Sequence, residues 1–420
     1  MTRAGNSTPG FAPLSRGLGR HTRVCCALLC LMVLSATATA AHADNLVRVR
    51  SKHYTIHTTL TDGETLRTFG RHMDAIFAAY RHRFREYRPR HAGHMPLYLF
   101  ETRQQYVDFL ARHGIDAENS GGMFFVARDV RGLATWTRDR GRGDVFEVLQ
   151  HEGFHQFAWN YLGPQLPQWV NEGLAQYFED GVLVGPQIRT GLADARRIRI
   201  VKNAFHARRV MPVVDVLEIT NRQWNQTLAT DPVKAELLYA QAWSMVFFLI
   251  HGDNEKYQPH FARYLMLLSR GVDSPRAFRR AFGLDDLSPM QRRWAGFARA
   301  HEPDPVTLAT ERMGFLAAGL RWLHEHDRPL PETLDELKHT LRQSSFRLIR
   351  RTHEGRFELS ADDPTNFGFE VKGHFKPFDL LEPAAAGLPP RIAAQGLDPE
   401  PTVQWRPAPD GGIVEVIEYR

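Results

Sequence analysis

The chain has 420 residues, 43% of them hydrophobic, and a formal net charge of +6. That is enough apolar material for a sizeable core and for two domains. Neither a nucleic-acid role nor disulfide or thiolate chemistry is expected, because the excess basic charge and all three cysteines sit in one N-terminal stretch. There, Arg16, Arg20 and Arg23 precede an apolar run from Val24 to Leu34, and small residues lead on to Ala41-His-Ala43. The pattern reads as a secretory signal peptide over residues 1–43, with an uncleaved anchor as the alternative. The run is too short to span a bilayer as a mature helix. Its removal takes away Arg3, Arg16, Arg20 and Arg23, which lowers the formal charge from +6 to +2, along with Cys25, Cys26 and Cys30. The expected location is the periplasm or the outside of the cell, and no basic motif for nucleic acid follows.

Residues 44–302 read as one domain of mixed strands and helices. Val47, Val49, Tyr54 and Ile56 alternate enough over 46–58 to predict a strand pair. Asp62-Gly-Glu-Thr opens a helix with Leu66, Phe69, Met73, Ile76, Phe77 and Tyr80 on one stripe. Pro96 to Phe100 is a further strand and Arg103 to His113 a further helix. Residues 121–126 and 133–137, joined across Asp129-Val-Arg-Gly132, form a hairpin pattern. His91 and His94 have a ligand-like spacing, but the surrounding Arg88-Pro-Arg-His-Ala-Gly-His94 is a loop signal.

The most informative stretch is Val148-Leu-Gln-His151-Glu152-Gly-Phe-His155, an H-E-x-x-H motif. Positions four apart lie about 40° apart around a helix, so both imidazoles project from one face. Two neutral imidazoles at that spacing can take two corners of a zinc tetrahedron. Glu152 stands beside them, placed to accept a proton from a metal-activated water without ligating the metal. Asp144 is the expected N-cap, and Val145, Val148, Leu149, Ala158 and Leu162 supply the helical apolar pattern. Gly163-Pro-Gln-Leu-Pro167 stops this helix. A second, opening near Pro167, brings Glu172 back as the third ligand after sixteen intervening residues.

H-E-x-x-H followed by Trp169-Val-Asn171-Glu172-Gly173-Leu-Ala175 resembles the gluzincin metallopeptidases, the group of thermolysin and the aminopeptidase N-like enzymes. It resembles more closely a set of uncharacterised bacterial exported proteins with a gluzincin-like domain. The likeness spans roughly residues 50–250 and is specific over 144–180. It implies an α+β fold, a small mixed sheet joined to a helical half. It also implies Zn2+ as cofactor, His151, His155 and Glu172 as metal ligands, Glu152 as general base, and a peptide or protein substrate. It further implies that one of the two hairpin strands aligns substrate backbone beside the metal, with a purely structural hairpin as the alternative. The spacing before Glu172 is shorter than in the aminopeptidases. Position 176, acidic in thermolysin-like enzymes, is Gln176; Glu179, two turns after Glu172 on the same face, is the residue to look to for orienting a histidine.

Between Gly181 and His301 the pattern is helical. Leu237 to Ile250 is apolar almost all round, which marks a buried helix; its fourteen residues are too few to cross a membrane. Tyr239 opens it. The resemblance implies a tyrosine downstream of the ligands as oxyanion donor, and Tyr239 fits that role; a packing role with a wet hydroxyl is the alternative. His251 and His260 read as structural. Pro303-Asp-Pro305 marks a boundary, and residues 303–420 read as a smaller accessory α+β domain able to dock a protein partner. Its Pro- and Ala-rich residues 380–412 are expected as an extended loop. Two functions compete: zinc-dependent peptide hydrolysis in an exported protein, and a non-catalytic binding or scaffold protein that keeps the fold.

Overall fold

A computed structural model describes residues 46–128, 130–352, 355–407 and 412–420. The expected signal peptide, with its cysteines, and the turn residue Asp129 lie outside them. The fold is α+β. The chain opens with β1 (Val47–Arg50), β2 (Tyr54–Thr58), α1 (Gly63–Arg83), β3 (Met95–Phe100) and α2 (Arg103–Arg112), followed by β4 (Gly122–Val126) and β5 (Arg131–Trp136). Asp62 caps α1 by accepting from the Glu64 and Thr65 amides, and Thr102 and Gln105 form a reciprocal capping box on α2.

These strands make a sheet in the order β1-β2-β3-β5-β4, parallel at β2-β3-β5 and antiparallel at both edges. Its two central strands are buried on both faces. Tyr54, Ile56, Leu97, Leu99 and Leu133 join one core with α1, while Phe100, Phe125 and Ala134 pack on the other face against Phe109 and Leu110 of α2. β4 is left as an edge.

α3 (Arg142–Tyr161) lies against β4, β5 and α1, and α4 (Gln168–Glu179) turns back upon it. The N-cap of α3 lies three residues ahead of the expected Asp144. Gly141 stands at the N-cap with no side-chain bond, and Asp144 falls in the first turn, where its charge favours the positive end of the helix dipole.

The segment after α4 is not helical throughout, as its pattern predicted. β6 (Val182–Val184) and β7 (Gln187–Arg189) form a short hairpin before α5 (Ala195–His206), α6 (Val213–Glu218) and α7 (Asn221–Thr230). α8 (Pro232–Glu255) begins earlier than the apolar run because Asp231 caps it, and its backbone leaves helical geometry at Gly252, Asp253 and Asn254. At 24 residues it is long and apolar enough to cross a bilayer, unlike the fourteen counted above. Even so, 72% of its most apolar window is buried inside the fold. It packs against α4, α5 and α7, and against α9 (Gln258–Ser269) and α11 (Ser288–Ala300), with α10 (Ser274–Phe282) beside α9.

α4 and α8 touch at Gly173. A methyl group there would sit 2.6 Å from the Ala242 carbonyl oxygen and 2.7 Å from Val246 Cγ2, so backbone would have to move. Gly173→Ala should therefore destabilise the protein by about 1–3 kcal/mol, read as a lower urea midpoint at unchanged slope.

α12 (Pro305–Glu325) and α13 (Leu334–Gln343) begin a second core, from Ala309 to Ile413, separate from the first, which ends at Ala298. It is closed by β8 (Arg347–Thr352), β9 (Gly355–Ser360), β10 (Gly368–Val371), β11 (His374–Pro377), β12 (Asp379–Leu381), β13 (Arg391–Ala393), β14 (Pro401–Pro407) and β15 (Ile413–Tyr419). The stretch 380–412 is thus not a plain loop. Val403 and Trp405 alternate inward from β14, and Trp405 Nε1 donates to the Pro390 carbonyl at 2.8 Å. The sheet β12-β13-β14-β15 continues into β6-β7, with Tyr419 of β15 in register with Val184. Leu46–Arg420 accordingly cluster as one unit.

Candidate metal centre

His151, Glu152 and His155 lie midway along α3. The helix is fixed there by buried Leu149, Phe154 and Phe157, and by Tyr80, whose hydroxyl donates to the Gln150 carbonyl at 2.5 Å. The Gln150 side chain reaches the end of α4, donating to the Phe178, Glu179 and Gly181 carbonyls at 3.1, 2.5 and 3.0 Å. This ties the two helices together at the level of the site and satisfies carbonyls that no helical partner reaches.

α4 carries Glu172 to the two rings. Its Oε2 lies 3.3 Å from His151 Nε2 and 3.5 Å from His155 Nε2, and the rings stand 4.8 Å apart at 82°. One ligand atom from each of the three residues falls within 4.8 Å of the others. Two imidazole nitrogens and one carboxylate oxygen form the donor set of a catalytic zinc site, which leaves a coordination position for water or substrate.

Glu179 takes the orienting role that Gln176 does not. Its Oε2 lies 2.9 Å from His151 Nδ1, so an N–H on Nδ1 donates to it and Nε2 is left as the free lone pair. Gln176 instead donates through Nε2 to the Tyr239 carbonyl at 3.2 Å, tying α4 to α8. Behind Glu179 lies Arg197 of α5, 2% exposed, with Nη2 3.1 Å from Glu179 Oε2 and Nη1 2.5 Å from Asp180 Oδ2. Asp194, which caps α5, approaches the same guanidinium at 4.0 Å. Nothing in the sequence pointed to Arg197, because Asp194-Ala-Arg-Arg197-Ile-Arg-Ile reads as the charged face of a surface helix.

Glu152 stays apart from the ligand group. Its Oε2 accepts the Phe124 amide of β4 at 2.8 Å, which fixes the carboxylate between metal helix and edge strand. Burial raises the basicity of this carboxyl, partly offset by His155 and His151. Burial also opposes protonation of His151, yet the Glu172 and Glu179 carboxylates outweigh it and lift its pKa from 6.5 to about 10. His155 is raised against burial by Glu172, and Glu172 is held well below the usual carboxylate range by the two rings, again against burial. The carboxylates thus favour positive charge on the two rings, against the cost of burying it.

The linkage gives a pH prediction. A histidine raised in the folded state contributes stability fully below its unfolded pKa of 6.5 and loses it as pH climbs through the folded value. Chelator-treated protein should melt progressively lower between pH 6.5 and about 10. Zinc-loaded protein should not follow it, because the metal displaces that proton. Scanning calorimetry of both forms across the range checks this.

Tyr239 sits in α8 with its ring edge-on to Trp224, 5.5 Å away. Burial raises its phenol well above the ordinary value, and Glu172 and Glu152 push it further, so the group lies within their electrostatic reach. His251 and His260 do not join the site: His251 Nε2 pairs with Tyr177 Oη at 3.1 Å, and His260 Nδ1 with the Ala281 carbonyl at 3.0 Å.

Residues 146–271 match a family model described as a protein of unknown function (DUF1570). The matched segment runs from the first turn of α3 past α9, so it holds His151, Glu152, His155, Glu172, Glu179, Arg197 and Tyr239 and stops short of the C-terminal core. Comparison with curated proteins finds no match.

Proposed function

We propose that this protein is a zinc-dependent peptidase of gluzincin type, acting in the periplasm or outside the cell. The observation that carries the reading is the convergence of His151 Nε2, His155 Nε2 and Glu172 Oε2, with the Glu152 carboxylate beside them but outside the ligand set. Zinc, when bound by those three residues, supplies a water acidified towards neutrality and a Lewis acid for the scissile carbonyl. Glu152 accepts the proton of the attacking water and passes it to the departing amine. Its raised basicity suits both transfers.

The outer side of β4 presents Phe124 and Val126 away from β5, since Met123, Phe125 and Ala127 face that neighbour, while Gly122 at its start is engaged by Ser120 Oγ. Val126 is 53% exposed. An extended peptide added to this edge lies alongside Glu152. Tyr239 on α8, within electrostatic reach of Glu172 and Glu152, is the residue assigned here to donate to the carbonyl oxygen as charge builds on it.

Zinc analysis of the purified full-length protein, paired with hydrolysis of a quenched peptide library, tests the proposal. Equimolar zinc with cleavage is expected. Zinc without cleavage would favour the scaffold reading, and the absence of both would remove the metal reading as well. Tyr239→Phe should lower kcat by about 10²–10³-fold with zinc content and melting temperature unchanged. A purely packing tyrosine would leave kcat alone.

A further inference from the structure

The loop between α1 and β3 closes a cavity of about 620 Å³ against the C-terminal end of α3. Basic side chains line it from three segments: Lys52 and His53 before β2, Arg81 and His82 of α1, and His91 and His94 of the loop itself. No carboxylate is among its lining residues. Asp74 lies behind this wall rather than in it, accepting from Ser51 Oγ and from the Lys52 and His53 amides, each at 2.9 Å, and its charge acts on His53. Among the described residues, no acid pairs with Lys52 Nζ, His82 or His94.

The loop is held in place. Asn160 of α3 accepts the His91 amide at 2.9 Å and donates to the His91 carbonyl at 3.3 Å, and the His91 ring stacks on Trp159 at 4.8 Å. A small adjoining hollow shares His91, His94 and Asn160 and is lined further by Phe124, Arg131, Gln156 and Trp159. The Arg131 guanidinium lies 4.8 Å over the Trp159 ring. The wall that the two hollows share therefore lies between the basic cavity and Phe124, the residue whose amide holds Glu152. Along α3, Tyr161 at the cavity wall is about 9 Å past His155, a distance that roughly three residues of extended peptide cover.

We propose that this cavity receives an acidic side chain of a peptide lying on β4, about two to four residues from the bond to be cut. The inference rests on the peptidase reading and adds a substrate class to it. Lys52 and Arg81 carry the cavity's positive charge, the Arg81 guanidinium also donating to the Phe84 and Tyr87 carbonyls, and the imidazoles add polar groups; together they are spread around an open volume rather than converging on a point. That suits a flexible carboxylate-bearing chain entering from the strand better than one small inorganic anion, and the summed field favours encounter with acidic segments.

The test uses full-length, zinc-loaded Glu152→Gln protein and two fluorescent peptides. They differ only in carrying Glu-Glu or Gln-Gln pairs on both sides of a central apolar pair. Anisotropy should show the Glu peptide binding about tenfold tighter at low salt, with the preference shrinking as salt rises. Lys52→Glu combined with His94→Glu should erase the preference and leave the affinity for the Gln peptide and the melting temperature unchanged. A preference that survived the charge reversal would overturn the proposal. So would inorganic phosphate competing more tightly than the Glu peptide. Equal binding of both peptides would overturn the pocket alone and spare the peptidase reading; binding of neither would overturn both.

Discussion

Glu152→Gln should cut turnover by about 10²–10⁴-fold and leave zinc content unchanged. The amide keeps the size of the carboxylate, and the Phe124 amide at 2.8 Å can still donate to the remaining oxygen, so the local geometry holds. What disappears is the group able to take a proton and return it. The ligand atoms of His151, His155 and Glu172 are untouched, so metal loading persists. The decisive readout is therefore a pair of measurements on one sample, metal by elemental analysis and kcat by peptide cleavage. Normal cleavage by this variant would mean that the proton acceptor is another residue. Loss of zinc together with activity would place Glu152 among the ligands.

Arg197→Met should have the largest effect on the fold itself. Its guanidinium is buried against Glu179 and Asp180, with Asp194 nearby. Removing it leaves the buried Glu179 and the partly buried Asp180 without their counter-charge, at about 3 kcal/mol. Against a total of about 5–15 kcal/mol for a typical domain, that is a large loss. Glu179 would also lose the group that holds it against His151 Nδ1. Zinc affinity should then fall by about 10–100-fold, measured by chelator competition. Arg197→Lys should fall between wild type and Met, because one ammonium cannot fork between Glu179 and Asp180. A methionine variant with unchanged melting temperature and zinc affinity would count against this account of the site.

The two helices and the convergence of His151, His155 and Glu172 were legible because their geometry is local. The 3.6-residue period sets the spacing of His151 and His155, and a short turn limits where Glu172 can return. What decides the rest is not local. Arg197 carries no mark of burial in its own helix; the acids that draw it inward come from the turn after α4 and from its own N-cap. The proline-rich stretch 380–412 hides β14, whose pairing depends on β15 beyond it. Asp144 offered a better cap than Gly141, yet α3 begins at Arg142, with Gly141 as an N-cap that makes no side-chain bond.

The register of Tyr419 with Val184 joins positions 235 apart in the chain, the difference between those two numbers. A contact that distant forms only after the intervening segments have been gathered, so loop-closure entropy weighs on the last stage of folding. The β6–β7 hairpin, a few residues downstream of Glu179, is therefore flanked by the strand that lies farthest from it along the polypeptide.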